Sequence, residues 1–169
     1  GVLFGSTGAH KELRRQLIEN NRVEAVLSLP GGVFQPYSGV KTSVLFFRKG
    51  GKTENVLFLH ADNDGYKLDA NHDQAIEADD LPMLIVAYRD RAAGLKAWGK
   101  RDPKAEWTAQ WWFADEAALR ANDFNLSAGR YRPMSQAQVT HRNPRELLDE
   151  LAAIEAEIVE EVEALKAAL

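Results

Sequence analysis

Apolar residues fall in short unbroken blocks over the first sixty positions and at helical spacing over much of the remaining chain. Val23–Leu29 and Thr42–Phe47 are runs rich in Val, Leu and Phe, bounded by glycine and proline, and they read as buried strands. Asn55–Ala61 reads as another strand, and Val2–Phe4 as the end of a core strand. Between Val2–Phe4 and Val23–Leu29, the stretch Ala9–Asn21 places Leu13, Leu17 and Ile18 at helical spacing, with basic residues on the other face. Strand, helix, strand in that order predicts one βαβ unit with a parallel strand pair. The strand Thr42–Phe47 comes next without a helix, which predicts an antiparallel neighbour.

The connection between Val23–Leu29 and Thr42–Phe47 is twelve residues long and holds Pro30, Gly31, Gly32, Pro36 and Gly39. A hairpin needs only two to five. Long loops carried on rigid strands are where function concentrates. This one also bears Phe34 and Tyr37 with no apolar periodicity to bury them.

Further along, residues 62–80 turn polar and acidic, and Asp79–Trp98 resumes helical periodicity through Leu81, Leu84, Ile85, Tyr88 and Leu95. Trp107, Trp111, Trp112 and Phe113 suggest a small strand or packed loop. Asp115–Ala121 suggests a short helix capped by Asp115, and Asn122–Pro133 an irregular stretch anchored by Leu126 and Tyr131. The last element reads as a long helix from Asn143, with Pro144 at its first position. Leu147, Leu151, Ile154, Ile158, Val162, Leu165 and Leu169 recur at steps of three and four, a near-heptad stripe that fits a partner helix.

Composition narrows the class. At 169 residues, 45% hydrophobic and 27% charged, the sequence is that of a globular protein, with no run long enough to span a membrane. It contains no cysteine, which removes disulfides and thiol chemistry and agrees with a cytoplasmic protein. A start at Gly1, directly in an apolar run, suggests a piece of a longer protein. Charge is uneven: residues 1–52 carry eight Lys or Arg against three acids, whereas the whole chain has net charge −4. The basic part holds the long loop, as a polyanion partner requires. Arg145–Leu169 instead carries eight acids and two bases, which points to a protein partner rather than nucleic acid.

Self-contained catalytic machinery is not legible. His10, His60, His72 and His141 lack metal-ligand spacing. Counted from Asp69, the calcium-loop positions that need Gly and Glu hold Gln74 and Asp80. Gly5-Ser6-Thr7-Gly8 lacks the lysine and spacing of a phosphate loop, and Asn143-Pro144 lacks the second proline and aromatic of an amino-methylating motif.

The run LPGGVFQPYSGVKTSVLFF (Leu29–Phe47), preceded by GVLFGSTGAHKELRRQLIENN, resembles the catalytic domain of type I restriction-modification DNA methylases. The likeness is specific over residues 1–60 and looser over 61–133, where Leu84–Tyr88 and NDFNLSAGRY resemble the family's tail. It implies an α/β fold, the C-terminal half of a Rossmann-like S-adenosylmethionine-dependent methyltransferase sheet, with a helical C-terminal extension after it. The implied divisions are 1–61, catalytic-domain strands; 62–133, an irregular and helical extension; and 143–169, an amphipathic partner-binding helix. The implied activity is adenine-N6 methylation of DNA by the parent protein, with S-adenosylmethionine as its cofactor and the specificity and restriction subunits as its partners. The family's glycine motif and Asn-Pro-Pro-aromatic motif are not in this sequence. The fragment is therefore expected to bind no cofactor properly and to be inactive alone. By the same resemblance Phe34 stacks on a flipped target base, with Tyr37 beside it and Lys41 on a phosphate. Leu151, Ile154, Ile158, Val162 and Leu165 grip the specificity subunit. The alternatives are a non-catalytic interaction module that docks through its C-terminal helix, and a fragment of a small-molecule methyltransferase.

Overall fold

Thr7 opens the first helix: its hydroxyl accepts the amide of His10, satisfying a donor that the helix leaves orphaned. This helix, α1, spans Gly8–Asn20 and passes without a linker into strand β1, Asn21–Ser28. The computed structural model describes residues 1–133 together with Glu155 and Ile158. The chain divides into two compact units, Gly1–Ser135 and Gln136–Leu169, and every element with described bounds belongs to the first.

Strand β2, Ser43–Lys49, pairs antiparallel with β1, and β3, Asn55–His60, pairs with β1 in parallel. A small hairpin comes next, β4 (Asp64–Tyr66) with β5 (Ala75–Asp79). Then come α2, Leu81–Arg89, and α3, Arg91–Lys100. Strand β6, Trp111–Asp115, returns antiparallel to β3, giving a four-stranded sheet in the order β2-β1-β3-β6. Helix α4, Glu116–Ala121, starts at Asp115, whose carboxylate accepts the Ala118 amide.

Both faces of the sheet are covered, which is why its central strands read as continuous apolar runs. Val56 and Phe58 face a core built with Ile18 of α1, Leu119 of α4, Phe124, Leu126 and Trp112. Leu57 and Leu59 face the other, built with Ala25, Phe113 and Leu84 of α2. The Trp112 indole donates to the Ala128 carbonyl, and Tyr131 stacks on Phe58 at 4.9 Å. Leu126 and Tyr131 thus anchor the irregular stretch, as the sequence suggests.

Three expectations are corrected. Val2–Phe4 is not a strand but a turn, in which Gly1 carbonyl accepts from the Phe4 and Gly5 amides. Only Leu3 packs on the core, and three apolar residues are too few to define a strand. The parallel pair is therefore not made by Val2–Phe4 with β1 but by β1 with β3. The helical pattern 79–98 is two helices broken at Asp90, which caps the second by accepting the Ala93 and Gly94 amides through its carbonyl. The stretch read as a small strand or packed loop is strand β6, an edge strand of the main sheet. Trp111 faces out of it into a ladder of edge-on rings, Trp98–Trp107–Trp111–Phe113, at 4.9–6.0 Å.

Candidate functional site

Strands β1 and β3 run in parallel, and open α/β sheets place ligands beyond the carboxyl ends of such strands. Two segments leave the sheet there. One is the loop Pro30–Lys41, and the other runs from Ala61 into the β4–β5 hairpin. The ends of the first loop are tied down: the Leu29 amide donates to Thr42 carbonyl at 3.0 Å, and the Ala61 amide to Ser28 carbonyl at 3.0 Å.

Within the loop the chain closes on itself. The Gln35 amide donates to Gly32 carbonyl, and the Tyr37 and Ser38 amides both donate to Phe34 carbonyl at 2.9 Å. A side chain at Gly31 would put its Cβ 2.9 Å from the Gly39 carbonyl oxygen, so only glycine lets the two limbs approach. Gly32 has φ +97°, a conformation L side chains rarely adopt, and it sits against Leu68 of the hairpin loop. The hairpin therefore supports the loop from behind.

The tip carries the aromatics. Phe34 is 48% exposed and Tyr37 93% exposed, both aimed away from the two cores. Lys41 is exposed and makes no ion pair among the described residues; its stem lies 3.8 Å from the position a Gly31 Cβ would take. The three residues named from the sequence share one loop. Of the five named on the C-terminal stripe, Ile158 is helical and exposed; Leu151, Ile154, Val162 and Leu165, with the rest of the expected helix apart from Glu155, lie outside the described residues.

Sequence reasoning missed the polar support beneath this loop. Asp80 accepts the Asp62 and Asn63 amides, each at 2.8 Å, and pins the exit of β3 to the start of α2. His72, at φ +51°, holds its ring nitrogen 2.8 Å from the buried Asp64 carboxylate. Asp69, the residue from which a calcium loop was counted, instead accepts the Asn71 and His72 amides, and these hold its carboxyl below the usual range. The signal was there only as acidic residues two or three positions before a turn.

At the opposite end of the sheet, a cleft of about 390 Å³ is lined by Arg22, Glu24, Lys52, Glu54, Arg89 and Arg91 among others. Glu24 is its buried charge. Its carboxylate accepts the Tyr88 hydroxyl at 2.7 Å, Arg91 at 3.0 Å and Arg48 at 2.9 Å. Burial pushes its carboxyl up, but the Tyr88 hydroxyl and the two guanidiniums outweigh burial and hold it below the usual 4.5.

A family model described as N-6 DNA methylase matches residues 1–140. The type I restriction enzyme EcoEI methylase subunit of Escherichia coli is 32% identical over 164 residues, covering 95% of this chain and 30% of that protein. A solved structure from work on complex assembly and conformational transition of a type I restriction-modification system matches with a TM-score of 0.60 and 27% identity. That match covers 98% of this chain and 33% of the other. A type I methyltransferase subunit from Streptococcus thermophilus shares the fold, with a TM-score of 0.56, 23% identity and coverage of 78% and 24%. The chain thus spans about 30% of the length of the curated relative it matches.

Proposed function

The chain belongs to the N-6 DNA methylase family, and from that premise we propose that it is the target-base side of the modification subunit of a type I restriction-modification system. In this reading the sheet β2-β1-β3-β6 is the C-terminal half of a Rossmann-like methyltransferase sheet. The parent methylates adenine N6 in DNA with S-adenosylmethionine, which supplies the methyl group. Among the described residues no strand leads through a glycine-rich turn into a helix.

The observation that carries the reading is Phe34, half exposed at the tip of a closed loop beyond the carboxyl end of the parallel pair β1 and β3. An adenine amine inside a duplex is out of reach, so the base must leave the stack and be held by ring-on-ring contact. A half-exposed phenyl on a loop closed by its own backbone hydrogen bonds offers a ring for that contact. Tyr37 offers a second ring, and Lys41 a charge for the displaced backbone. The long C-terminal stripe, Leu151 to Leu165, binds the specificity subunit, and the restriction subunit joins the same complex.

Base stacking is worth about 1–3 kcal/mol, or roughly 5- to 150-fold in affinity. In the full-length methylase, Phe34→Ala should lower methylation of a paired adenine by a factor in that range. It should lower methylation of a mismatched, already loosened adenine less. Equal losses on the two duplexes, in a radiolabelled methyl-transfer assay, would remove Phe34 from base holding.

A further inference from the structure

Helix α2 has apolar residues on the side that should be polar. Leu84 is buried and Leu81, Ala87 and Tyr88 pack on the core, yet the outward face holds Pro82, Met83, Ile85 and Val86. Met83, Ile85 and Val86 are all exposed, Val86 by 56%. A helix apolar on both faces is ordinarily covered on both. The outward face ends at Arg89, which lines the 390 Å³ cleft with Arg22, Lys52 and Arg91. Lys52 is paired with Glu116 and Arg91 with Glu24, whereas Arg22 and Arg89 have no acidic partner among the described residues.

We propose that this strip and the cleft at its end form a docking surface for an acidic amphipathic helix of another protein subunit. Its apolar face covers Met83, Ile85 and Val86, and its carboxylates enter the cleft against Arg22 and Arg89. Two other occupants fit less well. A nucleic-acid backbone would use the two arginines but has no use for three exposed aliphatic side chains. A second copy of this chain would need about 800 Å² per partner for a stable dimer. A nine-residue helix only about 14 Å long supplies a small part of that. The cleft lies at the other end of the sheet from the Phe34 loop, and α2 runs towards it from the exit of β3.

The inference rests on reading the chain as part of a multi-subunit enzyme, and its test separates the two. The full-length methylase is titrated with its purified specificity and restriction subunits, comparing wild type with Val86→Asp and with the double variant Arg22→Glu/Arg89→Glu. Both variants should weaken binding of the same subunit by about tenfold or more. The thermal midpoint of the isolated methylase and its affinity for duplex DNA should stay unchanged. Full binding by the variants would overturn the docking surface alone. A lowered midpoint for Val86→Asp would show the face covered by the protein's own chain and overturn it too. So would loss of duplex binding in the arginine variant with Val86→Asp silent. A wild type that binds neither subunit would overturn the subunit reading and this surface together.

Discussion

Glu24 shows how little a single letter says before its neighbours are placed. In the sequence it interrupts an apolar run; in the fold it sits at a register shift in β1 between Val23 and Ala25, turned to the side of Tyr88 and Arg91. Because its folded carboxyl titrates below 4.5, the ionised form is the one the fold stabilises. That contribution is complete above about 4.5 and drains away as pH falls below it. Glu24→Gln should cost about 2 kcal/mol at pH 7, the scale of hydrogen bonds to a charged group. The gap to wild type should narrow at pH 3, and urea denaturation at the two pH values measures both. Arg14 teaches the converse. It belongs to the basic residues expected on the outer face of α1, yet it is 2% exposed, while Leu13 is exposed. Its guanidinium donates to the carbonyls of Val2, Gly5 and Asp123 and ties the N-terminal turn to the end of α4. Helical spacing put residue 14 on the same face as Ile18 all along; only residue type argued otherwise.

Among the elements, the Pro30–Lys41 loop was legible as a long connection bearing two aromatic rings, and the least legible in shape. Its length and its two unburied rings marked it, but the approach of Gly31 to Gly39 carbonyl and the support from Leu68 involve residues far apart in sequence or not facing each other by any period. Gly31→Ala should therefore distort the loop and cost about 1–3 kcal/mol, as overpacking does. Methylation by the parent should fall, whereas Gly129→Ala, where an added Cβ meets nothing within 4 Å, should leave it intact. Thermal melts and methyl-transfer rates on the two variants check this. The strands fared better than the helices. The central ones, β1 and β3, are buried on both faces and read as plain apolar runs. The break between α2 and α3 at Asp90 is invisible to periodicity, because both halves keep an apolar face toward the same core.

For the whole molecule, the two ends of the sheet carry different features. The carboxyl end of the parallel pair carries the aromatic loop, the amino end carries the arginine cleft, and α2 runs from the first end to the second. On the proposed reading of the C-terminal stripe, polar substitutions at Ile154, Ile158 and Val162 should abolish co-purification of the methylase with the specificity subunit. Unchanged assembly would take partner binding away from that stripe. The sequence by itself determined the mixed α/β class, three of the four strands of the sheet, helix α1, the capped helix α4, and the loop with Phe34, Tyr37 and Lys41. Each of these depends on local spacing, turn residues or runs of one residue class. Tertiary structure alone decided that β3 lies parallel beside β1, that Trp111–Asp115 closes the sheet, that Glu24 and Arg14 are buried with partners, and that α2 is left apolar outside. Those outcomes depend on contacts between residues distant along the chain, which no local pattern records.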